Sequence, residues 1–149
     1  LGELDSVVID YETHQQSIYA KFVSIVDERR KGRMKDIAAA LAPSEGAAKA
    51  PEPSANMKGV VSDLKQVHTT LRDLLTRQQL QTVFVQMLAR FDAGLLEAYK
   101  TVDMGPAYSR QCVVQDVQYL RKESAKLNLN LKQGCCQDLV AFALALPVA

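Results

Sequence analysis

The side chains most able to do chemistry in this sequence are two histidines, three cysteines and one run of basic residues. His14 follows Asp10 at an i, i+4 spacing that can hold a metal ion, but a surface polar pair is the commoner use of that spacing. His68 lies far away along the chain, and neither histidine has the Glu-x-x-His spacing of metal sites in helical bundles. We therefore predict no metal site.

The cysteines indicate neither a nucleophile nor a disulfide framework. A reactive thiol needs a base and an electropositive pocket, and Cys112 has no recognisable partner, so we predict a buried structural thiol. Cys135 and Cys136 are adjacent, and small apolar residues opening an apolar helix are favoured over acylation sites. This use of cysteine favours a reducing, intracellular setting.

Recognisable catalytic motifs are missing from the sequence. It contains no Gly-rich phosphate loop, Gly-x-Ser-x-Gly elbow, His-Glu-x-x-His or Cys-x-x-Cys pair. We predict that the protein is not an enzyme and that it has no catalytic residue, metal or cofactor.

A run of basic residues, ERRKGRMK at 28–35, is the one local concentration of charge. Such a run can contact phosphates or acidic headgroups. No aromatic residue is interleaved to stack on bases, and the formal net charge is only +1, so we exclude nucleic acid as a partner. A solvated helix face is the plainer interpretation. The functional hypothesis is a membrane or partner patch made of Arg29, Arg30, Lys31, Arg33 and Lys35, with Arg121 and Lys122 as a second patch.

Helices are the elements that would position these residues. Apolar residues recur at steps of three and four, and nowhere alternate with period two for long enough to form a strand. Apolar residues make up 48% of the chain and aromatic residues only 6%, so aliphatic side chains pack the core. A length of 149 residues fits a single domain, 1–149, which we expect to be a C-terminal piece of a longer protein.

The first helix is predicted to run from about residue 5 to about residue 42, with a bend near Gly32. Residues 43–54 contain three prolines and are predicted to be a flexible linker. The inward stripe of the first helix is predicted to be Val8, Tyr11, Gln15, Ile18, Phe22 and Ile25.

The second and third helices are predicted to meet at a tight hinge. Ser54 or Asn56 caps the second helix, and Thr76 with Gln79 has the spacing of a capping box for the third. The structural core is predicted to include Leu71, Leu74, Leu75, Leu80, Phe84 and Phe91.

A fourth helix is predicted at about 107–127, and a short fifth helix at about 136–146. The last apolar run, at 139–146, is much shorter than the roughly 20 residues needed to span a bilayer. Short connections make neighbouring helices antiparallel. We therefore predict an all-α fold, an elongated up-and-down bundle of four long helices plus a short C-terminal helix.

Several short matches occur along the chain in the order found in one family. They are KFVSIVDER at 21–29, Pro53-Ser54, Val67-His68, Asp73 to Leu75 followed by Gln79, Gln81 and Phe84, and Asp116-Val117 with Tyr119. On these residues the chain resembles the C-terminal domains of the vacuolar protein sorting protein fifty-four family, subunits of the Golgi-associated retrograde protein (GARP) tethering complex. The linker and the tail, with Cys135, Cys136 and the apolar end, depart from the pattern.

The resemblance implies a bundle of the multisubunit tethering complex type, acting in endosome-to-trans-Golgi retrograde transport. It implies that the partners are other tethering-complex subunits and membrane-bound proteins, with peripheral membrane contact. The implied location is cytoplasmic, on trans-Golgi network and endosomal membranes. Two alternatives stay open: an interaction domain of another tethering complex such as exocyst, and a ligand-binding helical bundle.

Overall fold

The computed structural model describes residues 2–43, 50–129 and 136–147. Within these ranges the chain contains helices and no strand, so the predicted all-α bundle is confirmed. The helices are α1 (Gly2–Arg33), α2 (Ile37–Ala40), α3 (Ala55–Arg72), α4 (Arg77–Lys100), α5 (Ala107–Ala125) and α6 (Gln137–Leu144). No helix in the described ranges has both the length and the apolar character needed to cross a bilayer.

The predicted first helix is divided into two. α1 ends at Arg33, and a turn at 34–36 leads into the single turn of α2. The turn allows Met34, Ile37 and Leu41 to enter the core together, each almost fully buried. The bend predicted near Gly32 is therefore confirmed in position, but it is a break in the helix.

The predicted inward face of α1 is wrong. Tyr11, Ile18 and Ile25 are 65%, 52% and 60% exposed, whereas Tyr19 and Val23 are buried. Val26 and Arg30 are buried on that same side, while Gln15 and Phe22 are half-buried and the side chain of Val8 lies outside the described part. The sequence misleads because α1 carries two apolar stripes, and the one facing the bundle is interrupted by charged residues.

The four long helices run up and down in turn. Ser54 contacts Asp116 and Lys65 contacts Glu123, so α3 and α5 advance in the same direction. Asp27 contacts Arg90 and Arg30 contacts Phe91, so α1 and α4 are also parallel. In contrast, α3 is antiparallel to α1, because Asn56 contacts Arg33 while Asp63 contacts Arg29. This is the arrangement expected when sequence neighbours are antiparallel.

The hinge between α3 and α4 has the predicted capping box. The backbone N–H of Gln79 donates to the Thr76 hydroxyl at 3.2 Å, and that of Thr76 donates to the Gln79 side chain at 3.0 Å. Leu74 was placed in the core, but it is 73% exposed, because α3 ends at Arg72 and Leu74 lies in the turn. The other predicted core residues are confirmed: Leu71, Leu80, Phe84 and Phe91 are buried, and the half-buried Leu75 packs against them.

The chain is fixed to α5 just before the predicted linker, at Leu41, and at the last residue of the linker, Ser54. The Ser109 hydroxyl donates to the Leu41 carbonyl at 2.8 Å. Ser54, which caps α3 as predicted, donates to Asp116 on α5. Residues 44–49 lie outside the described ranges, so the flexibility predicted for the linker is not tested there.

α6 is held by a carboxylate from another helix. Cys136 precedes α6 in the left-handed region, at φ 55°, and has no side-chain hydrogen bond to cap the helix. Asp92 on α4 instead accepts the backbone N–H groups of Asp138 and Leu139 at 3.1 and 2.8 Å. A capping carboxylate satisfies free N–H groups and suits the positive end of the helix dipole.

Candidate functional site

The first predicted basic patch lies where α1 packs against α3. Arg33 donates twice to Asp63, at 2.9 and 3.1 Å, and Arg29 lies 3.1 Å from the same carboxylate. Burial opposes ionisation of Asp63, yet hydrogen bonds from Arg33 and Arg29 outweigh it and hold the pKa of Asp63 below its ordinary value. The same pairing raises the pKa of Arg33. Two arginines of the patch therefore join helices.

Arg30 is a correction to the predicted surface patch, because it is only 5% exposed. Its Nε donates to Asp27, also buried, at 2.7 Å. Its guanidinium lies over the ring of Phe91 on α4, 6.0 Å from the centroid. A buried charge in this setting holds helices together and is not accessible to a membrane or a partner.

The remaining members of the first patch are exposed. Lys31 pairs with Glu28 one turn earlier at 3.0 Å, and Lys35 makes no ion pair with any residue that the structure describes. Exposed pairs of this kind contribute little stability. The five predicted residues thus fall into three groups. Arg30 is in a buried ion pair, Arg29 and Arg33 bridge α1 to α3, and Lys31 and Lys35 are on the surface.

The second predicted patch is on the last turn of α5. Arg121 and Lys122 are exposed, and neither has an ion pair within the described residues. Between them and the helix end lies Glu123, which accepts from Lys65 at 2.7 Å and also pairs with Lys126. Hydrogen bonds from Lys65 and then Lys126 lower the pKa of Glu123 below its ordinary value, against the effect of burial.

A cavity of about 200 Å³ opens beside this end of the bundle, between α3, the start of α4 and the residues after α5. Its apolar lining is Leu80, Leu127 and Leu129, and its polar lining is His68, Arg77, Gln81 and Asn128. We call this the end cavity. The sequence does not reveal this cavity, because its lining comes from three separate segments, and the Val67-His68 match is the only nearby signal.

His68 is the half-buried member of the end cavity. Its ring packs edge-on against Phe84, with centroids 5.5 Å apart and planes at 73°. Burial, and then the positive charge of Arg72, lowers the pKa of His68. Arg72 ends α3 and Arg77 begins α4, so two guanidinium groups flank the hinge next to this histidine.

A second hollow, of about 420 Å³, lies between α1 and α4. It is an open groove with small or short side chains on its walls: Ala20, Val23, Gln86, Ala89, Arg90 and Ala93. Arg90 lies 3.6 Å from Asp27 and so belongs to the interhelical charge pairing.

The most buried of the described carboxylates, that of Asp116, is also not predicted as a site from the sequence. Asp116 on α5 accepts the backbone N–H of Ser54 at 2.6 Å, the Ser54 hydroxyl at 2.7 Å and the Tyr99 hydroxyl at 2.8 Å. Burial raises the pKa of Asp116, although these donors and Lys58 act in the opposite direction. Burial beside Asp116 also raises the pKa of Tyr99. With its acceptors satisfied, Asp116 is a structural junction between α3, α4 and α5.

The histidines and cysteines that the structure describes form no cluster. His14 is exposed, and no group of three or more His, Cys, Asp or Glu suited to a metal occurs in the described ranges. Cys112 is buried as predicted, and burial raises its pKa. Cys136 is buried at the start of α6, which confirms the apolar interpretation for that residue, whereas Cys135 lies outside the described residues.

The fold is similar to a known structure, that of a Vps54 C-terminal domain. The two superpose with a TM-score of 0.61 and share 24% sequence identity, over 87% of this chain and 84% of the other. No protein-family model and no curated protein matches the chain. The similarity shows that the chain has the fold of that domain, and it confirms the resemblance found in the sequence at the level of fold.

Proposed function

We propose that this chain is a non-catalytic interaction domain of a vesicle-tethering complex subunit, acting in endosome-to-trans-Golgi retrograde transport. It works at the cytoplasmic face of those membranes by contacts with other tethering subunits, membrane-bound proteins or lipid. The observation that carries the proposal is the likeness in fold to a Vps54 C-terminal domain over 87% of the chain.

The use of charged residues in the bundle agrees with a non-catalytic role. Asp27, Asp63, Asp92, Asp116 and Glu123 each accept hydrogen bonds that join one element to another or stabilise a helix. Catalytic carboxylates are instead expected in a cleft, within reach of a substrate atom. All five carboxylates therefore make structural contacts within the bundle.

An outer stripe on α1 supports a role in protein contact. Val7, Tyr11, Ile18 and Ile25 are each more than half exposed and lie on the side of α1 that faces away from the bundle. Tyr11, Ile18 and Ile25 are spaced by seven residues, the repeat with which helices pack in coiled coils. Exposed apolar residues that line up in this way are typical of interfaces.

The alternatives have less support. The end cavity, at about 200 Å³, is smaller than the roughly 300–1,000 Å³ of pockets that hold drug-sized ligands, and the hollow of about 420 Å³ between α1 and α4 is an open groove and not an enclosed pocket. Both observations disfavour a ligand-binding bundle. An interaction domain of another tether such as exocyst would also be a helical bundle. The similarity to a Vps54 domain favours the retrograde tether.

The test is whether the chain can replace its structural relative. In cells that lack Vps54, we expect a Vps54 chimera carrying residues 1–149 in place of its C-terminal domain to reach membranes and to restore delivery of a cargo cycling between endosomes and the trans-Golgi network. Vps54 without any C-terminal domain is the control. A chimera that is expressed and folded but leaves the cargo in endosomes would contradict the proposal.

The basic residues can be tested in the same chimera. Because Arg29, Arg30 and Arg33 hold helices together, reversing them would damage the fold, so a clean test uses the residues without an ion pair in the described ranges. We expect the variant Lys35→Glu, Arg121→Glu, Lys122→Glu to fold normally and to be recruited less well. Unchanged recruitment would discard Lys35 and the Arg121–Lys122 patch as membrane contacts.

A further inference from the structure

We propose that the end cavity receives one apolar side chain of an acidic peptide on a partner protein, with Arg77 and Arg72 contacting the carboxylates of that peptide. This inference deepens the proposed function by giving the chemistry of one partner. It is carried by the size of the cavity, by its lining and by the charges around it.

The size of the end cavity suits a single side chain. An apolar cavity of about 150 Å³ is enough to hold benzene, and the end cavity measures about 200 Å³. Leu80, Leu127 and Leu129 line the cavity, and an apolar side chain that packs against them would be removed from water. A leucine or phenylalanine side chain therefore fits better than an extended ligand.

The polar lining of the cavity selects for negative charge. Arg77 supplies a full positive charge, His68, Gln81 and Asn128 carry N–H donors, and none of the described lining residues is a carboxylate. Arg77 makes no ion pair within the described part of the chain, and neither does Arg72 across the hinge. Asp73, between them, is exposed and forms no ion pair there with either arginine. Charge-assisted hydrogen bonds to a partner carboxylate would use these free guanidinium groups.

Other basic groups on the chain are less suited to this task. Arg29 and Arg33 share Asp63, Arg30 is buried on Asp27, and Lys31 is paired with Glu28. A lipid surface is recognised by clusters of about four to eight Lys or Arg residues. Arg72 and Arg77 are too few for such a cluster, but they suit a single carboxylate next to a cavity with three leucines in its lining.

The test is binding of a fluorescein-labelled peptide, EDEDLL with blocked ends, to the purified 149-residue chain. We expect saturable binding at low salt with Kd of about 0.1 mM or tighter. The Arg77→Gln chain should bind about tenfold more weakly, the loss of one charge-assisted hydrogen bond. Addition of EDEDLL should also shift the NMR signals of His68 and Asn128.

Matched controls separate this site from general attraction between charges. Lys100→Gln removes an exposed positive charge at the other end of the same helix, and we expect it to change Kd by less than about twofold. The peptides QNQNLL and EDEDSS, which lack the acidic and the apolar part respectively, should each bind at least about tenfold more weakly.

Three results would overturn the inference. The first is no saturable binding up to about 1 mM peptide, and the second is an equal loss of affinity for Arg77→Gln and Lys100→Gln. The third is displacement of EDEDLL by phosphatidylserine vesicles that bind in an Arg77-dependent way, which would assign the site to lipid. Because the assay uses the purified chain alone, failure here leaves the chimera result untouched, and failure of the chimera leaves this binding result untouched.

Discussion

At the scale of single residues, the interface between α1 and α4 depends on a buried charge. Arg30 is enclosed between Asp27 and Phe91, and its guanidinium also lies against the backbone of Gly94. A buried ion pair adds little net stability compared with an apolar pair, but removing one partner leaves an uncompensated charge. Position 94 therefore needs glycine, because a side chain there would occupy the space that the Arg30 guanidinium fills.

The substitution Gly94→Ala tests this requirement. Replacing glycine by alanine within a helix normally stabilises by about 0.5–1 kcal/mol. Here the added methyl group would overlap the Arg30 guanidinium, which Asp27 holds in place. We expect the free energy of unfolding to fall by about 1–3 kcal/mol, the usual effect of overpacking, as measured by urea denaturation.

Gly32 provides the matched control on α1. A methyl group at Gly32 would meet no atom within 4 Å, so Gly32→Ala should raise the free energy of unfolding by about 0.5–1 kcal/mol. If Gly94→Ala stabilised the protein as much as Gly32→Ala, then Arg30 would be mobile and would not be a fixed part of the interface.

At the scale of elements, the attachment of α6 depends on α4. α6 has eight residues, too few for a helix to be stable alone in water. It gains its position from the buried Leu139 and Ala143 and from the N–H groups that Asp92 accepts. The helix is therefore expected to form only where it packs on the bundle.

Asp92→Ala is predicted to loosen α6 selectively. Loss of a capping carboxylate costs about 0.5–2 kcal/mol, and we expect faster hydrogen exchange at the backbone amides of α6 while α4 keeps its protection. Thr76→Ala, which removes the cap of α4, is the matched comparison and should accelerate exchange at the start of α4 instead. Equal effects of both changes on α6 would show that Asp92 is not its cap.

At the scale of the whole molecule, carboxylates that join helices make stability depend on pH. The pKa values of Asp63 and Glu123 are held below their ordinary values of 3.8 and 4.5 by basic partners on other elements. Folding therefore gains from their ionised forms above those values, and the gain is lost as pH falls through the lower folded pKa values. Burial raises the pKa of Asp116, so the contribution of Asp116 to the free energy of unfolding increases as pH falls.

The variant Asp63→Asn, Glu123→Gln tests the acid response. We expect the normal chain to lose stability as pH falls from about 5 to about 3, and the variant to be less stable at neutral pH with a shallower loss over that interval. Urea denaturation at several pH values measures both. An unchanged slope would mean that other carboxylates dominate the acid response, and Asp116→Asn shows its separate contribution.

Local patterns in the sequence were enough for the order of the helices and for two of their caps. The Ser54 cap and the Thr76–Gln79 capping box depend on residues three apart, so their geometry is fixed by nearby sequence. Phe84 and Phe91 were placed in the core because their helix has a single apolar stripe. The core prediction for Leu74 is wrong because α3 ends at Arg72, so the helical spacing of apolar residues no longer applies at Leu74.

Contacts between distant segments could not be predicted in this way. Arg33 and Asp63 are 30 residues apart, and Ser54 and Asp116 are 62 residues apart. The pairing of Arg30 with Asp27 is local, but the residues that bury Arg30, Phe91 and Gly94, come from α4. The end cavity has the same origin, since α3, α4 and the residues after α5 each contribute only part of its lining.

The fixed ends of the segment between Leu41 and Ser54 have a practical consequence for engineering. Leu41 is held by Ser109 and Ser54 by Asp116, two positions on α5 about 10 Å apart along the helix axis. Each doubling of a closed loop adds only about 0.6 kcal/mol of entropic cost. A reporter domain could therefore be inserted in this segment. The contacts of Ser109 with Leu41 and of Asp116 with Ser54 would still hold its two ends on α5, whatever the length of chain between them.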